Sequence, residues 1–334
     1  MSTASRTTAA VVATRAGGPD VLDLTQVTVP APRDRELLVE VAAAGVNFID
    51  TYRRSGVYPM DYPGVLGTEG AGVVVALGAQ ATGFVVGDHV AWSDAPSSYA
   101  GHVLVPAARA LAVPPGIDLR TAAALPLQGL TAHYLATSTY PVSPGDHVLV
   151  HAGAGGVGLL LTQLAVARGA RVITTVSTEE KEQLSRAAGA HDVVRYDALE
   201  DLTSELPALV RQLTGGRGVH VVYDSVGKDT FDASLASLRT RGMLVLFGGS
   251  SGQVPPFDPQ RLNTAGSVYL TRPTLASYVA TRQELVARAD ELFGAVAHGV
   301  LAVRVGATYP LAEARLAHAA LESRSTTGKV LLIP

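Results

Sequence analysis

The sequence predicts an α/β protein of two lobes, one built on a doubly wound parallel sheet and the other rich in β-strands. Three observations carry this. The chain has 334 residues, more than a single hydrophobic core usually serves. Strand-like and helix-like segments alternate from His147 onward, the pattern of a parallel sheet covered on both faces. The first third instead reads as β-branched runs broken by turn formers.

Taken in order, Leu37 to Ala42 and Ala71 to Leu77 are the β-branched runs, with Pro30 and Pro32 before them and Gly83, Gly87 and Asp88 after. Phe84 to Trp92 reads as a turn feeding a strand. The texture changes near Leu119, and Thr121 to Leu135, rich in Ala and Leu, is helical in character. A strand at His147–His151 leads through a glycine-rich turn to a helix from about Val157 to Arg168. A strand at Arg171–Val176 precedes a helix at Glu179–Ala188, and Asp192–Arg195, Val219–Tyr223 and Met243–Phe247 are further strands. Beyond Arg261 the pattern is mixed. Ser267–Leu270 reads as a strand, Thr281–His298 as a long helix with Leu285, Ala289, Leu292, Phe293 and Val296 at helical spacing, and Val330–Ile333 as a closing strand.

Composition narrows the function classes. With 47% hydrophobic and 16% charged residues the chain can bury sizeable cores, which argues against disorder. A net charge of -3 gives no broad basic surface, so no nucleic acid is expected as a partner. There is no cysteine, which excludes disulfides, thiol nucleophiles and thiolate zinc sites and makes the cytoplasm the expected location. Met1 to Ala10 lacks the long apolar run of a secretory signal, although its Ser, Thr and Arg6 share the composition of a transit peptide. No apolar run approaches the roughly 20 residues that span a bilayer, so no membrane partner is expected.

The strongest motif lies in the segment from His147 to Gly158, where Gly153, Gly155 and Gly158 satisfy G-x-G-x-x-G. It follows a strand, opens a helix and starts a βαβ unit, which is the context that distinguishes a dinucleotide site from a merely structural turn. On this reading Gly153 permits the tight turn, Gly155 lets the backbone approach a pyrophosphate with Gly156 assisting, and Gly158 lets helix and strand pack closely. The amides and dipole at the start of the helix, at Gly156, Val157 and Gly158, then hold the anion. The choice of dinucleotide is read from the end of the second strand, where an NAD site usually carries a carboxylate. Here the tip is Ser177, which would not repel a 2′-phosphate, and Lys181 lies one turn into the next helix. Glu179 and Glu180 are counter-evidence, but acids at a helix start also complement its dipole. NADPH is the expected cofactor.

Further segments share one pattern. Gly45 to Tyr58 (GVNFIDTYRRSGVY), Gly67 to Gly72 (GTEGAG), Val222 to Gly227 (VYDSVG), Phe247 to Gly252 (FGGSSG), Thr271-Arg-Pro273 and Leu321 to Gly328 (LESRSTTG) resemble the zinc-independent, zeta-crystallin-like NADPH:quinone oxidoreductases of the medium-chain dehydrogenase/reductase superfamily. The likeness runs from about Ala9 to the C-terminus. It implies a GroES-like catalytic domain from residues 1–125, a Rossmann NADPH-binding domain at 126–265 and a return segment at 266–334 completing the first. It further implies an active site in the cleft between them, and a homodimer, with the edge strand near Ser267–Leu270 as a candidate contact. The 2′-phosphate would meet Lys181, Tyr196 and Arg324. Asn47, Tyr52 and Thr131 would lie near the nicotinamide, and Ser225, Phe247, Gly248 and Ser250 would line the cofactor site.

No metal is expected. Zinc alcohol dehydrogenases of the superfamily carry a Cys and a His where this chain has Asn47 and Thr68, and catalytic zinc normally needs three protein ligands. His89, His102, His133 and His151 read as structural or surface residues. Without a Lewis acid, a quinone or an activated enone accepts hydride more readily than a simple ketone, because the product anion is already delocalised. Asn47 is a candidate to orient the acceptor oxygen or the ribose. Tyr52 is either a proton donor or a wall stacking on the ring, since a phenol of pKa about 10 is a weak acid unless tuned. Arg272 reads as a structural ion-pair partner or an anion holder, and Asp224 as a loop anchor or a ligand contact. The leading expectation is NADPH:quinone reduction. The alternative is reduction of activated C=C bonds in enones, alkenals, haloacrylates or acyl thioesters, and a remote one is a crystallin-like structural or RNA-binding role.

Overall fold

The computed structural model describes residues 5–334; the first four residues of the N-terminal segment read for a targeting signal lie outside it. The chain opens with β1 (Arg6–Ala13), β2 (Leu22–Val29), β3 (Glu36–Val46), α1 (Phe48–Arg54), β4 (Gly64–Val65), β5 (Glu69–Leu77), β6 (His89–Trp92), β7 (His102–Pro106), β8 (Leu111–Ala112), α2 (Leu119–Ala124) and α3 (Pro126–Tyr134). Then come β9 (His147–Val150), α4 (Gly156–Ala167), β10 (Arg171–Val176), α5 (Glu179–Ala187), β11 (Asp192–Arg195), α6 (Leu202–Leu213), β12 (Val219–Asp224), α7 (Phe231–Ala236), β13 (Leu238–Leu246), α8 (Gln260–Thr264), β14 (Tyr269–Thr271) and α9 (Leu275–Tyr278). The chain ends with α10 (Arg282–Ala297), β15 (Val305–Pro310), α11 (Ala314–Glu322) and β16 (Lys329–Ile333).

Two compact units result. One holds the residues through Gln128, Thr281–His298 and Val303–Pro334; the other holds Gly129–Ala280 and Gly299–Ala302. The expected boundaries were 125/126 and 265/266. The parallel unit runs on past residue 265 because β14 pairs with β13 and adds a sixth strand to its sheet.

In the first unit, seven strands join around β3, in the order β15-β16-β3-β5-β6-β8 with β7 also on β3, and a smaller sheet runs β2-β1-β4. The alternation of β3 and β5 sends Leu37, Val39, Val41 and Val74 into one core with Val90, Trp92 and Tyr99. The closing strand falls where its β-branched run predicts, and it lies antiparallel to β3 with Val330 opposite Val46. α10 carries Leu285, Ala289, Leu292 and Phe293 buried and is started by a reciprocal pair, Thr281 accepting from the Glu284 amide and Glu284 from the Thr281 amide.

The second unit is a six-stranded, wholly parallel sheet in the order β11-β10-β9-β12-β13-β14. Numbered within the unit this is 3-2-1-4-5-6, the doubly wound Rossmann order, whose direction reverses between β9 and β12. Leu149, Ile173, Val222 and Leu244, one from each central strand, are fully buried in its core. A buried aliphatic side chain of this size contributes about 1.5–3 kcal/mol, so these four residues hold the sheet's middle together.

Candidate functional site

Open parallel sheets bind ligands beyond the carboxyl ends of the strands, at the point where strand order reverses. Here that point carries the glycine turn after β9 and Ser225 after β12. The turn leaves the sheet with the His151 amide donating to the Tyr223 carbonyl (3.0 Å) and the Gly153 amide to the Thr175 carbonyl (3.0 Å). Gly155 is the N-cap of α4, and no side chain caps it. The amides of Gly156, Val157 and Gly158 are the first three of the helix and have no acceptor within it. They form a ready-made anion cradle.

The three glycines of the motif divide the work differently from the sequence expectation. The left-handed residue of the turn is Ala152 (φ 53°), not Gly153. Gly153 is needed for packing: a Cβ there would lie 2.5 Å from the Thr174 Cβ and 2.8 Å from the Ser185 Oγ. Gly158 allows the helix to sit on the turn, since its Cβ would fall 2.2 Å from the Ala152 carbonyl oxygen. Gly155 is the permissive one. Its Cβ would meet only Ala152, whose carbonyl oxygen is 3.2 Å away, so the missing side chain leaves room for something other than protein.

At the end of β10, Ser177 and Lys181 lie together, the Lys181 ammonium donating to the Ser177 hydroxyl at 3.2 Å. Thr178 caps α5 and accepts from the Lys181 amide, which fixes where that lysine leaves the helix. Because Val176 is in register with Arg195, Tyr196 follows at the end of the neighbouring strand, so the structure brings these three residues to one sheet edge. Among the nearby acids, Glu182 pairs with Arg186 (2.8 Å) and Asp197 with Arg195 (3.0 Å). The cradle, the space at Gly155 and a lysine at this strand end fit a dinucleotide that carries a 2′-phosphate.

The segment after β13 closes on the segment after β12. The Phe247 amide donates to the Asp224 carbonyl (2.8 Å) and the Ser250 amide to the Ser225 carbonyl (3.2 Å). Gly248 passes so close that a Cβ would lie 2.4 Å from the Ser225 carbonyl oxygen. Ser225, Phe247, Gly248 and Ser250 therefore form one wall. Asp224 anchors the loop: its fully buried carboxylate accepts from the Val226 and Gly227 amides and from the Thr230 and Ser234 hydroxyls. Ser234 also meets His151 Nε2 (2.9 Å), while His151 Nδ1 meets Thr175 (2.9 Å). Burial pushes the His151 imidazole below its ordinary pKa, so it serves as a neutral strut. His133 is also buried, His102 is half-buried and meets Arg6 at 3.1 Å, and His89 is exposed. Arg272 is near Tyr134, whose ring stacks on Tyr278 at 4.2 Å.

The other predicted residues stand as follows. Thr131 is buried on α3. Arg324, exposed and left-handed (φ 59°), lies in the first unit just after α11. Tyr52 is half-buried on α1, between Phe48 (ring centroids 6.3 Å apart) and Tyr58 (5.4 Å). Asn47 precedes α1 and is buried. Its Nδ2 donates to Glu69 (2.7 Å) and to the Gly45 carbonyl (3.3 Å), and its Oδ1 accepts from Lys329 (2.8 Å). Both N–H groups are thus engaged within the protein, and Oδ1 is held by Lys329.

Glu69 and Lys329 carry no role in the sequence reading. Their signal was a single charge at the head of an apolar run, in Glu69-Gly-Ala-Gly-Val-Val-Val and in Lys329-Val-Leu-Leu-Ile. Asp50 was also missed. It is fully buried and accepts from the Asn47 amide (2.9 Å) and the Tyr99 hydroxyl (3.0 Å) on one oxygen, while its other oxygen has no partner. Burial, opposed by these hydrogen bonds, raises its pKa from 3.8 to about 6. Thr68 is buried, and among the described residues no three His, Asp or Glu side chains are grouped to hold a metal.

Comparison with known proteins agrees with this architecture. The family model for the alcohol dehydrogenase GroES-like domain matches residues 33–137, and that for zinc-binding dehydrogenases matches residues 156–308. The chain is 45% identical to quinone oxidoreductase 1 of Escherichia coli over 322 residues, covering 95% of this chain and 97% of that protein. It is 41% identical to a 2-haloacrylate reductase of a Burkholderia species, covering 97% and 98%. A mycobacterial protein solved in complex with NADPH is 52% identical, superposes with a TM-score of 0.94, and is matched over 98% of this chain and 100% of its own. The chain belongs to the zeta-crystallin-like quinone oxidoreductases of the medium-chain dehydrogenase/reductase superfamily, with a GroES-like and a Rossmann domain.

Proposed function

We propose that this protein is an NADPH:quinone oxidoreductase that works without a metal. The observation that carries the reading is the uncapped start of α4 together with Lys181 at the end of β10. The amides of Gly156, Val157 and Gly158 hold the pyrophosphate, and Lys181, with Ser177 and Tyr196, answers the charge of a 2′-phosphate. When bound, the reduced nicotinamide supplies the hydride. The protein supplies position and electrostatics. Ser225, Phe247, Gly248 and Ser250 wall the cofactor, and Thr131, on α3 of the same unit, borders the nicotinamide. Asn47, whose Nδ2 already donates to Glu69 and to the Gly45 carbonyl, serves to position and not as a proton source. The Tyr52 hydroxyl and water are the candidate proton donors to the reduced acceptor.

The Burkholderia relative, a 2-haloacrylate reductase by name, supports a second reading in which the acceptor is an activated C=C bond. We further propose a cytoplasmic homodimer that pairs through the edge strand β14, where Tyr269 is 58% exposed. No helix among the described residues is long and apolar enough to cross a membrane.

Cofactor oxidation at 340 nm, with a simple quinone and an α,β-unsaturated carbonyl as paired acceptors, tests the reading. NADPH-dependent, chelator-insensitive turnover with the quinone ahead supports it, and faster enone turnover moves the assignment to the second reading. Lys181→Ala should lower kcat/KM for NADPH by about ten- to hundredfold, the worth of one hydrogen bond to a charged group, and leave NADH little changed. An equal loss with both cofactors would remove Lys181 from the 2′-phosphate site.

A further inference from the structure

We infer that Lys329 and Glu69 are positioning residues that lock the Asn47 carboxamide in one orientation. The inference rests on the reading of Asn47 as a reaction-site residue proposed above. Glu69 is 0% and Lys329 1% exposed, and the two form an ion pair across the sheet of the first unit. Strand register puts them there. Gly45 is opposite Glu69 on β5, and Val330 is opposite Val46, which sets Lys329 beside Asn47.

An amide can sit either way round, and only its neighbours decide. Here they leave no choice. Lysine only donates and carboxylate only accepts, so Oδ1 must face Lys329 and Nδ2 must face Glu69. Gly45 is the space that permits this, because a Cβ there would lie 2.3 Å from Glu69 Oε2 and 2.7 Å from Lys329 Cε. The second oxygen of Glu69 accepts from the Leu127 amide (2.8 Å), at the start of the helix that bears Thr131. One buried carboxylate thus orients Asn47 and anchors the segment leading to Thr131. A buried ion pair is weak evidence for stability alone, since an apolar pair of the same volume often serves equally well. The pair is better explained by the orientation it imposes.

The test is the paired change Glu69→Gln with Lys329→Met, which removes both charges together and leaves no unpaired buried ion to unfold the chain. It is measured alone and on an Asn47→Ala background, with a simple quinone and saturating NADPH, after a melting curve has shown that each variant folds. Alone, the pair should lower kcat/KM by about tenfold or more; on the Asn47→Ala background the further loss should be under about threefold, as residues acting through one another require. Equal losses on both backgrounds overturn the inference. The second readout needs no turnover. The Asn47 side-chain amide, assigned in proton–nitrogen spectra by its disappearance in Asn47→Ala, should exchange slowly in the wild type, and it should shift and exchange faster in the paired variant. An unmoved, slowly exchanging resonance overturns the positioning role. A wild type that fails to turn over quinone removes only the functional reading, and the amide resonance still decides the role of Lys329 and Glu69.

Discussion

At the scale of single residues, two glycines of one motif make opposite predictions. Gly153→Ala drives a Cβ to 2.5 Å from Thr174 on β10, so it should destabilise the fold by about 1–3 kcal/mol, the usual cost of overpacking. Gly155→Ala meets only the Ala152 carbonyl oxygen at 3.2 Å, and it intrudes on the anion cradle instead. It should weaken NADPH binding by about tenfold or more, the worth of one or two charge-assisted hydrogen bonds, with little change in melting temperature. Titration calorimetry and melting curves on the two variants separate these outcomes, and a large stability loss in Gly155→Ala would show that the cradle is ordinary packing. The pattern G-x-G-x-x-G located the turn, but it did not separate these roles, because whether a missing Cβ makes room for ligand or for protein depends on neighbours from other strands.

At the scale of elements, α1 and α11 are tied by a directed chain of hydrogen bonds. Arg54 is buried and pairs with Glu322 at 2.6 Å; it also donates to His318 Nδ1 at 3.1 Å. That makes His318 the Nε2–H tautomer, which meets the Tyr99 hydroxyl at 3.3 Å, and Tyr99 donates to Asp50. Burial, with the adjacent Arg54 charge, lowers the His318 pKa from 6.5 to about 3. Its contribution to stability is present above pH 6.5 and is lost as pH falls toward about 3, because only the unfolded chain binds the proton in that window. Asp50 has the opposite sign. Its pKa is raised, so its contribution is full below pH 3.8 and is lost as pH rises through about 6. In Asp50→Asn that loss is gone. The stability of the variant relative to wild type should therefore rise between about pH 4 and 6.5, by up to a few kcal/mol, in urea melts across that range. A flat difference would mean that Asp50 is ionised in the fold throughout. None of this network was legible in the sequence, since Asp50, Tyr99 and His318 meet only once β-strands and a C-terminal helix are packed. Among the helices, α10 was legible from its periodicity. α6 was not, because Pro207 interrupts its helical pattern.

At the scale of the whole molecule, the edge of the parallel sheet is the exposed liability. β14 is three residues long and has β13 on one side only. An open edge with an exposed aromatic invites pairing with a second copy. Light scattering on the wild type should give twice the chain mass, and Tyr269→Lys, which places a charge on that edge, should shift the protein toward monomer at micromolar concentration. A wild type that is monomeric at all concentrations would remove the dimer.

By itself the sequence determined the two-lobe α/β plan, the position of the glycine turn and the preference for a 2′-phosphate. Each of these rests on local periodicity or on residues within one βαβ unit, so spacing along the chain is enough to reveal them. Membership of the family was legible for the same reason, through short motifs kept in order. Tertiary structure alone decided where the parallel unit ends, which glycine of the turn has open space beside it, that Asp224 and His151 hold loops, and that Asn47 is gripped by Glu69 and Lys329. Those residues come from strands far apart in the chain. A charge at the head of an apolar run shows its purpose only when strand register sets its counterion beside it.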